Sequence, residues 1–176
     1  NNLGNCWLER GDYTRAIDFF QQSIKIYRDE LSEDNLALAQ VAANLGNAYL
    51  EIGDAQNALN QLQLAYLIIT NQIGASTPSL IPVLMNQGLA LGQLEYYQDA
   101  QIAFEKAINT IQVYLGAEHP LLATAYNNLG NLNYQQGFFE RASASYQNAL
   151  DKIQQADVTD PKDWATCLMN LGNCAY

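Results

Sequence analysis

Residues 44–59 read NLGNAYLEIGDAQNAL, and the motif that opens them returns at a fixed step along the chain. Leu-Gly-Asn stands at 3–5, 45–47, 129–131 and 171–173, and Gln87-Gly88-Leu89 occupies the place of the missing copy. The central glycines, at 4, 46, 88, 130 and 172, are therefore each 42 residues apart. A fixed period of this length is typical of proteins built from stacked structural repeats.

Each central glycine is followed at a fixed distance by a second small residue and then by a large apolar one. These residues, twelve and sixteen positions after the first four glycines, are Ala16, Ala58, Ala100 and Ala142, then Phe20, Leu62, Phe104 and Tyr146. Glycine inside a helix costs about 1 kcal/mol relative to alanine, so its regular return implies a compensating gain. We expect Gly46 to pack against Ala58 where two helices approach closely, and Gly46→Leu to push those helices apart.

Apolar residues recur at steps of three and four, which predicts two helices in each repeat. Helices are expected over 36–50 and 58–69. A tight turn joins the helices of a repeat at Gly11-Asp12, Gly53-Asp54 and Gly137, where glycine can adopt the left-handed conformation and Asp can cap the next helix. Connectors between repeats are expected at 32–35, 74–78, 116–120 and 157–161. The predicted fold class is all-α, a string of antiparallel helix hairpins.

The residues around each central glycine form a wider pattern. A large residue stands three positions after the glycine (Trp7, Tyr49, Leu91), and a second glycine stands seven positions after it (Gly11, Gly53, Gly137). This pattern resembles the tetratricopeptide repeat (TPR), whose usual period is about 34 residues. The longer period resembles that of kinesin light chains and of the G-protein-signalling modulators with leucine-glycine-asparagine repeats. The connector Gly116-Ala117-Glu118-His119-Pro120 is similar to the one between kinesin light chain repeats. The resemblance implies a right-handed superhelical solenoid.

On this basis residues 1–176 are expected to form a single TPR-like solenoid of about four 42-residue units. Solenoids usually close with polar capping elements. Neither end of the sequence contains one, so we expect the chain to be a piece of a longer array or of a multidomain protein.

The third repeat departs from the pattern at three positions. Glu95 replaces the turn glycine, Leu89 replaces the asparagine after the central glycine, and Pro82 follows Pro78 where a helix should begin. A proline at that depth removes a helical hydrogen bond unless the helix starts late. We therefore expect a local irregularity in this repeat.

Acidic residues outnumber basic ones, 18 to 8, which gives a net charge of −10. Binding to a nucleic-acid backbone needs clustered Lys and Arg, yet none stands between Arg28 and Lys106, so no nucleic-acid partner is expected. No apolar run approaches the roughly 20 residues of a membrane span. The three cysteines have no regular spacing, which favours a reducing compartment. We expect a cytoplasmic protein without a membrane partner.

Residues suited to catalysis or metal binding are few. His119 is the only histidine, so it lacks the companions that a metal site or an acid–base pair requires, and a capping or surface role is expected. Cys6, Cys167 and Cys174 are expected to fill the core, with a metal or redox role as the alternative. The solitary glycines form no phosphate-binding loop. We expect no enzyme activity, no cofactor and no metal ion.

Neutral amides are abundant, with 18 Asn and 17 Gln in 176 residues. Asparagine is a poor helix former, yet it recurs at the centre of the first helix of each repeat, at Asn2, Asn5, Asn44, Asn47, Asn86, Asn128, Asn131, Asn170 and Asn173. In the TPR fold the first helices line the concave side, so these residues would form one stripe, which we call the amide stripe. Amides match the donors and acceptors of an extended peptide. Alternatively, they bond to one another and stiffen the stack.

The resemblance also implies that residues beside the amide stripe face the concave side. By spacing these are Gln40, Ala43, Leu50, Glu51, Met85, Gln93, Thr124, Asn127, Tyr134, Gln135, Thr166, Met169 and Tyr176. Glu9 and Glu51 favour a ligand that carries Lys or Arg at one end.

The leading hypothesis is a non-catalytic protein–protein interaction scaffold that binds an extended peptide or a partner helix in its concave groove. One alternative is a regulatory or sensor module of a signalling enzyme fused outside this segment. Another is self-association through the solenoid ends.

Overall fold

The fold is entirely helical over the residues that the computed structural model describes, which are 2–30, 35–155 and 161–174. These ranges contain no β-strand, and the prediction of an all-α fold is confirmed. The helices are α1 (Asn2–Glu9), α2 (Tyr13–Glu30), α3 (Leu36–Glu51), α4 (Ala55–Gln72), α5 (Ile81–Gln93), α6 (Tyr97–Tyr114), α7 (Leu121–Gln135), α8 (Phe139–Gln155) and α9 (Pro161–Cys174). Positions 32–34 and 157–160 of the expected connectors, and Tyr176, lie outside the described residues.

The helices are grouped into two compact units, Asn1–Glu95 and Tyr96–Tyr176. In the first, α1 packs on α2 and α3 packs on α4, while α5 contacts both α3 and α4. In the second, α7 contacts α6 and packs on α8, while α9 contacts both α7 and α8. Consecutive helices thus pair as the predicted hairpins within each compact unit. The assignment of residues 1–176 to a single domain stays a prediction.

The turn inside a hairpin depends on a glycine in the left-handed conformation. Gly11, Gly53 and Gly137 have φ angles of 75°, 78° and 78°, which other residues rarely adopt. In the first two turns the next residue caps the following helix, because Asp12 and Asp54 each accept a backbone N–H three residues later at 3.2 Å. The sequence predictions for these turns are confirmed.

Three of the central glycines, Gly4, Gly46 and Gly130, make room for the large side chain sixteen residues later. A Cβ atom added to Gly46 would lie 2.7 Å from Cγ of Leu62 and 3.2 Å from the carbonyl oxygen of Ala58. The predicted close approach is confirmed, and Ala58 takes part in it through its backbone. The nearest atom, however, belongs to Leu62, which is fully buried against the bare face of Gly46.

The third repeat contains the expected irregularity. Its connector ends in a 3₁₀ turn, Pro78–Leu80, and α5 begins only at Ile81. Pro82 therefore stands in the first turn of α5, where a missing N–H costs no helical hydrogen bond. Glu95 has a φ of 63°, in the same left-handed region as the turn glycines. It keeps the turn but carries backbone strain that glycine avoids.

Candidate functional site

The amide stripe of α3 lies on the side of the helix away from its core. Gln40, Asn44, Asn47 and Glu51 recur at steps of three and four, which places them on one helical face. All four are exposed or half-buried. The core face of α3 carries the buried residues Leu38, Val41, Ala42, Leu45 and Ala48.

Leu50 is an error in the predicted set. It was expected beside the amide stripe, but it is buried. Leu50 follows Gly46 by one helical turn, and residues four apart share a face, so it lies on the side of α3 that packs against α4.

Part of the amide stripe in the first compact unit is bonded to itself. Asn44 Nδ2 donates to Asn5 Oδ1 at 2.9 Å, which joins α3 to α1. Gln40 Nε2 donates to Asn44 Oδ1 at 3.0 Å. Both ends of the Asn44 amide are therefore used within the protein, as the alternative of amides that bond to one another predicts.

A similar network joins α7, α8 and α9 in the second compact unit. Asn170 Nδ2 lies 3.0 Å from Asn127 Oδ1 and 3.3 Å from Asn131 Oδ1. Asn131 Oδ1 also accepts the Tyr146 hydroxyl at 2.8 Å. Burial raises the pKa of Tyr146 to about 12, so this hydroxyl keeps its proton at neutral pH. The repeat spacing identifies Tyr146 as a large residue sixteen positions after a glycine. That spacing does not predict the hydrogen bond of its hydroxyl to Asn131.

Asn47 and Asn86 differ from these amides, because neither side chain forms a hydrogen bond with any residue that the structure describes. Both line a cavity of about 210 Å³ between α3 and α5, which we call the first cavity. Its other lining residues are Ala39, Gln40, Ala43, Asn44, Ile69, Ser79, Pro82 and Val83. Asn47 and Asn86 therefore offer donors and acceptors to a group that enters this cavity.

The second compact unit has two cavities beside α7 and α9. The second cavity, of about 210 Å³, is lined by Pro120, Leu121, Ala123, Thr124, Asn127, Ile153, Thr166 and Cys167. The third cavity, of about 200 Å³, is lined by Asn131, Tyr134, Gln135, Tyr146, Asn170 and Asn173. The structure thus brings most of the predicted residues of α7 and α9 together in two neighbouring clusters.

Eight of the predicted residues that the structure describes line none of these three cavities: Asn2, Asn5, Leu50, Glu51, Met85, Gln93, Asn128 and Met169. Glu51 is exposed at the end of α3, and its hydrogen bond with the Tyr13 hydroxyl raises the pKa of Tyr13. Gln93 is exposed at the end of α5. The repeat spacing places the predicted residues on the helices that form the cavities. It could not show how far each cavity extends along those helices.

The sequence matches the family model described as tetratricopeptide repeat over residues 1–68 and 79–155. The chain belongs to the tetratricopeptide repeat family. No protein of curated function matches the TPR chain in sequence.

Two solved structures are similar to this TPR chain. BtubC (BKLC) from P. vanneervenii has a TM-score of 0.84 at 23% identity, and the match covers 98% of this chain and 68% of that one. A kinesin-light-chain-like protein from Podosopora anserina with nearly identical TPR-like repeats has a TM-score of 0.80 at 17% identity, with coverage of 98% and 82%. The predicted TPR-like solenoid fold and the resemblance to kinesin light chain repeats are confirmed.

The three cavities of the TPR hairpins are uncharged, since no Asp, Glu, Lys, Arg or His lines them. Charged groups line a different cavity of about 290 Å³, formed by α2, α3 and α4, where Lys25 and Arg28 stand beside Asp29. Where the amide stripe lines these cavities, it therefore presents hydrogen-bonding groups and no charge.

The other candidate chemistry of the TPR chain has structural explanations. His119 Nδ1 accepts the Leu121 N–H at 3.2 Å at the start of α7, so the capping role is confirmed. Cys167 is buried with Ala149, Leu150 and Ile153, which confirms core filling. Cys6 is exposed, contrary to the prediction, because no described helix precedes α1 to cover it. Among the described residues, no cluster of three His, Cys, Asp or Glu side chains is placed to hold a metal ion.

Within the same residues, no helix has both the length and the apolar character needed to cross a membrane.

Proposed function

We propose that the chain binds an extended peptide segment of a partner protein along the amide stripe. TPR domains are generally protein–protein interaction modules, and an extended segment presents backbone donors and acceptors at regular steps. The observation that supports the proposal is the pair Asn47 and Asn86, whose amides line the first cavity without a hydrogen bond to any described residue. Asparagine in a helix centre weakens the helix, so an unbonded pair there calls for a compensating use.

Seven of the asparagines fall into two groups with different roles in this proposal. Asn5, Asn44, Asn127, Asn131 and Asn170 bond to one another across helices and hold the helices in register. Asn47 and Asn86 keep their hydrogen-bonding capacity for the ligand. The stiffening and binding hypotheses are therefore compatible, each applying to its own residues.

A basic residue at one end of the ligand is the finer part of the proposal. Glu9 and Glu51 are exposed at the C-terminal ends of α1 and α3, outside the uncharged cavities. A Lys or Arg beyond the bound segment would be attracted to these carboxylates. The contribution to affinity is small because exposed ion pairs are worth about 1 kcal/mol or less.

The test begins with a phage-displayed library of random 12-residue peptides selected on the unmodified chain. Enriched peptides are then synthesised and their dissociation constants measured by calorimetry. Asn47→Ala and Asn86→Ala should each weaken binding about threefold to tenfold, the range expected for one or two lost hydrogen bonds. Asn148→Ala, on the exposed surface of α8, is the matched control and should leave the dissociation constant unchanged.

Two results would contradict the proposal. One is a selection that enriches no binding peptide. The other is a set of peptides whose affinity is the same for the unmodified chain and for the double variant Asn47→Ala, Asn86→Ala.

The proposed role is non-catalytic, in a reducing compartment such as the cytoplasm, in keeping with three cysteines that form no disulfide with one another. A fused signalling enzyme and self-association through the ends stay predictions. Light scattering at increasing protein concentration distinguishes self-association from peptide binding, because only self-association raises the apparent mass of the protein.

A further inference from the structure

The first and second cavities are built from equivalent positions of the repeat in two different compact units. The first includes Ala39, Gln40, Ala43, Ile69, Pro82 and Val83. The second includes Ala123, Thr124, Asn127, Ile153, Thr166 and Cys167. Each residue of the second set follows its counterpart by 84 positions, which is two periods of 42. Because both compact units form it, the cavity is a property of the repeat and not of one local irregularity.

Both cavities have an apolar floor to which three helices contribute. In the first cavity Ala39, Ile69 and Val83 come from α3, α4 and α5 and are 1%, 6% and 1% exposed. Ala123, Ile153 and Cys167 occupy the same places in the second and are also buried. Each volume is about 210 Å³, and a cavity of about 150 Å³ already accepts a benzene-sized group. There is room for one branched aliphatic side chain.

The rim of each cavity is polar but uncharged. Asn44, Asn47 and Asn86 stand at the rim of the first, and Thr124, Asn127 and Thr166 at the rim of the second. An ionised side chain that entered would lose its hydration without gaining an ion partner, at a cost of several kcal/mol. An aliphatic side chain loses no hydrogen bond when it enters the cavity. The ligand backbone that carries this side chain then lies beside the amides at the rim.

We infer that the part of the ligand bound along the amide stripe is an extended segment, uncharged between its ends, that inserts an aliphatic side chain, of the size of Leu or Ile, into this repeated cavity. The inference rests on the proposed function, since the amides hold the backbone from which that side chain projects. It adds that the floor residues, and not the amides, specify the ligand sequence.

The two copies differ at four of the six paired positions, one of which has Gln40 in the first cavity and Thr124 in the second. Ala43, Pro82 and Val83 of the first cavity correspond to Asn127, Thr166 and Cys167 of the second. Both copies keep an apolar floor, and the first is chosen for the tests because Asn47 and Asn86 line it.

The ligand side of the inference is tested with the selected 12-residue peptides. The enriched sequences should share one aliphatic residue flanked by uncharged ones. Replacing that residue by Asp or Lys should weaken binding at least tenfold, and replacing it by Ala should weaken it less. Equal affinity for the Lys or Asp peptides would overturn the inference.

The protein side is tested by filling the first cavity. Ala43 is half-buried at the rim, so Ala43→Phe can lie over the floor without displacing it. The expected result is at least a tenfold loss of affinity, with a circular dichroism spectrum and melting temperature close to those of the unmodified chain. Ala144→Phe, on an exposed face of α8, is the matched control and should bind normally.

A second readout does not depend on filling the cavity. The experiment uses a Cys6→Ser, Cys174→Ser background, in which the Cys167 thiol reports on the second cavity. Adding Val83→Cys places a thiol in the first cavity. Cysteine is the residue that the chain itself has at the equivalent position of the second cavity. Saturating peptide should slow the reaction of one of these thiols with methyl methanethiosulfonate at least fivefold. Peptide that binds but protects neither thiol would overturn the inference.

The two proposals fail in different ways. If peptides bind through Asn47 and Asn86 but tolerate a charge and leave both thiols reactive, the inference fails and the proposed function stands. If no peptide binds, both fail.

Discussion

Glu95 is the residue at which the chain departs most from its own repeat. It occupies the position of Gly11, Gly53 and Gly137 and has the same left-handed backbone, with a φ of 63°. This conformation costs an L-residue roughly 1–2 kcal/mol. Part of that cost is offset, because a glycine at the same position would lose more backbone entropy on folding. Glu95→Gly should raise the free energy of unfolding by about 1 kcal/mol, as measured by urea titration.

The reverse change at an equivalent turn is the matched control. Gly53 has a φ of 78°, and an added Cβ would meet no atom within 4 Å. Gly53→Glu should therefore lower the free energy of unfolding by a similar amount through the backbone alone. A Glu95→Gly variant less stable than the unmodified chain would refute the strain at residue 95.

Tyr146 makes the stability of the chain sensitive to alkaline pH. Burial raises its pKa from 10.0 to about 12, whereas the unfolded chain titrates near 10. The stabilisation from this group is complete below pH 10 and is lost as pH rises from 10 towards 12, because the unfolded state releases the proton first.

Tyr146→Phe should remove this part of the pH dependence. At neutral pH the variant should also lose about 1 kcal/mol, because Asn131 loses the hydroxyl that donates to it. Urea unfolding of both proteins at a series of pH values gives the comparison. If the two stability curves stay parallel from pH 7 to pH 12, the folded pKa of Tyr146 is not raised.

At the scale of single residues, the sequence predicted where the turns and helix caps lie better than it predicted which side chains are in contact. The turn glycines and their Asp caps follow from backbone requirements that a single residue type satisfies, so they could be predicted. Leu50 and the contact of Gly46 with Leu62 could not, because each depends on which way a helix face turns towards its neighbour. Small size suggested Ala58 as the partner of Gly46, yet the space is filled by the larger side chain.

Helix α3 carries two asparagines of the amide stripe, and replacing each by alanine should affect the free energy of unfolding differently. Asn44 bonds to Asn5 and Gln40, so Asn44→Ala should lower the free energy of unfolding by about 1 kcal/mol. Asn47 bonds to no described residue, and alanine is the better helix former. Asn47→Ala should leave stability unchanged or raise it by about 0.5 kcal/mol. Urea titration of both variants is the measurement, and equal losses would contradict the division of the amides.

Helices and hairpins could be predicted because the 42-residue period and the turn residues mark the breaks between helices, although α5 begins later than the period alone predicts. The pairing of amides could not. Asn5 and Asn44 are 39 positions apart and Asn127 and Asn170 are 43 apart, so neither bond joins strictly equivalent residues. The register between neighbouring first helices decides the pairs, and that register depends on side-chain packing.

The whole molecule carries a net charge of −10 with little internal compensation. One ion pair, Arg15 with Asp12 at 3.3 Å, is found among the described residues. Repulsion between acidic groups opposes the folded state and is screened by salt. Raising NaCl from about 0.02 M to about 0.5 M should therefore increase the melting temperature by a few degrees.

Differential scanning calorimetry at several NaCl concentrations checks this expectation. Sodium sulfate at equal ionic strength is the control, since sulfate adds a general stabilisation by exclusion from the surface. A melting temperature that falls with NaCl would mean that attractive pairs dominate the charge distribution.

The side-chain hydrogen bonds that join one first helix to the next, Asn44 with Asn5 and Asn170 with Asn127, span 39 and 43 positions. A helix therefore meets its bonding partners within about one repeat of chain already synthesised, and contacts of such short range form quickly. As the polypeptide leaves the ribosome, each hairpin can settle on the one before it without waiting for the carboxyl end. Force measurements on arrested nascent chains should accordingly give pulling peaks that recur with each repeat translated.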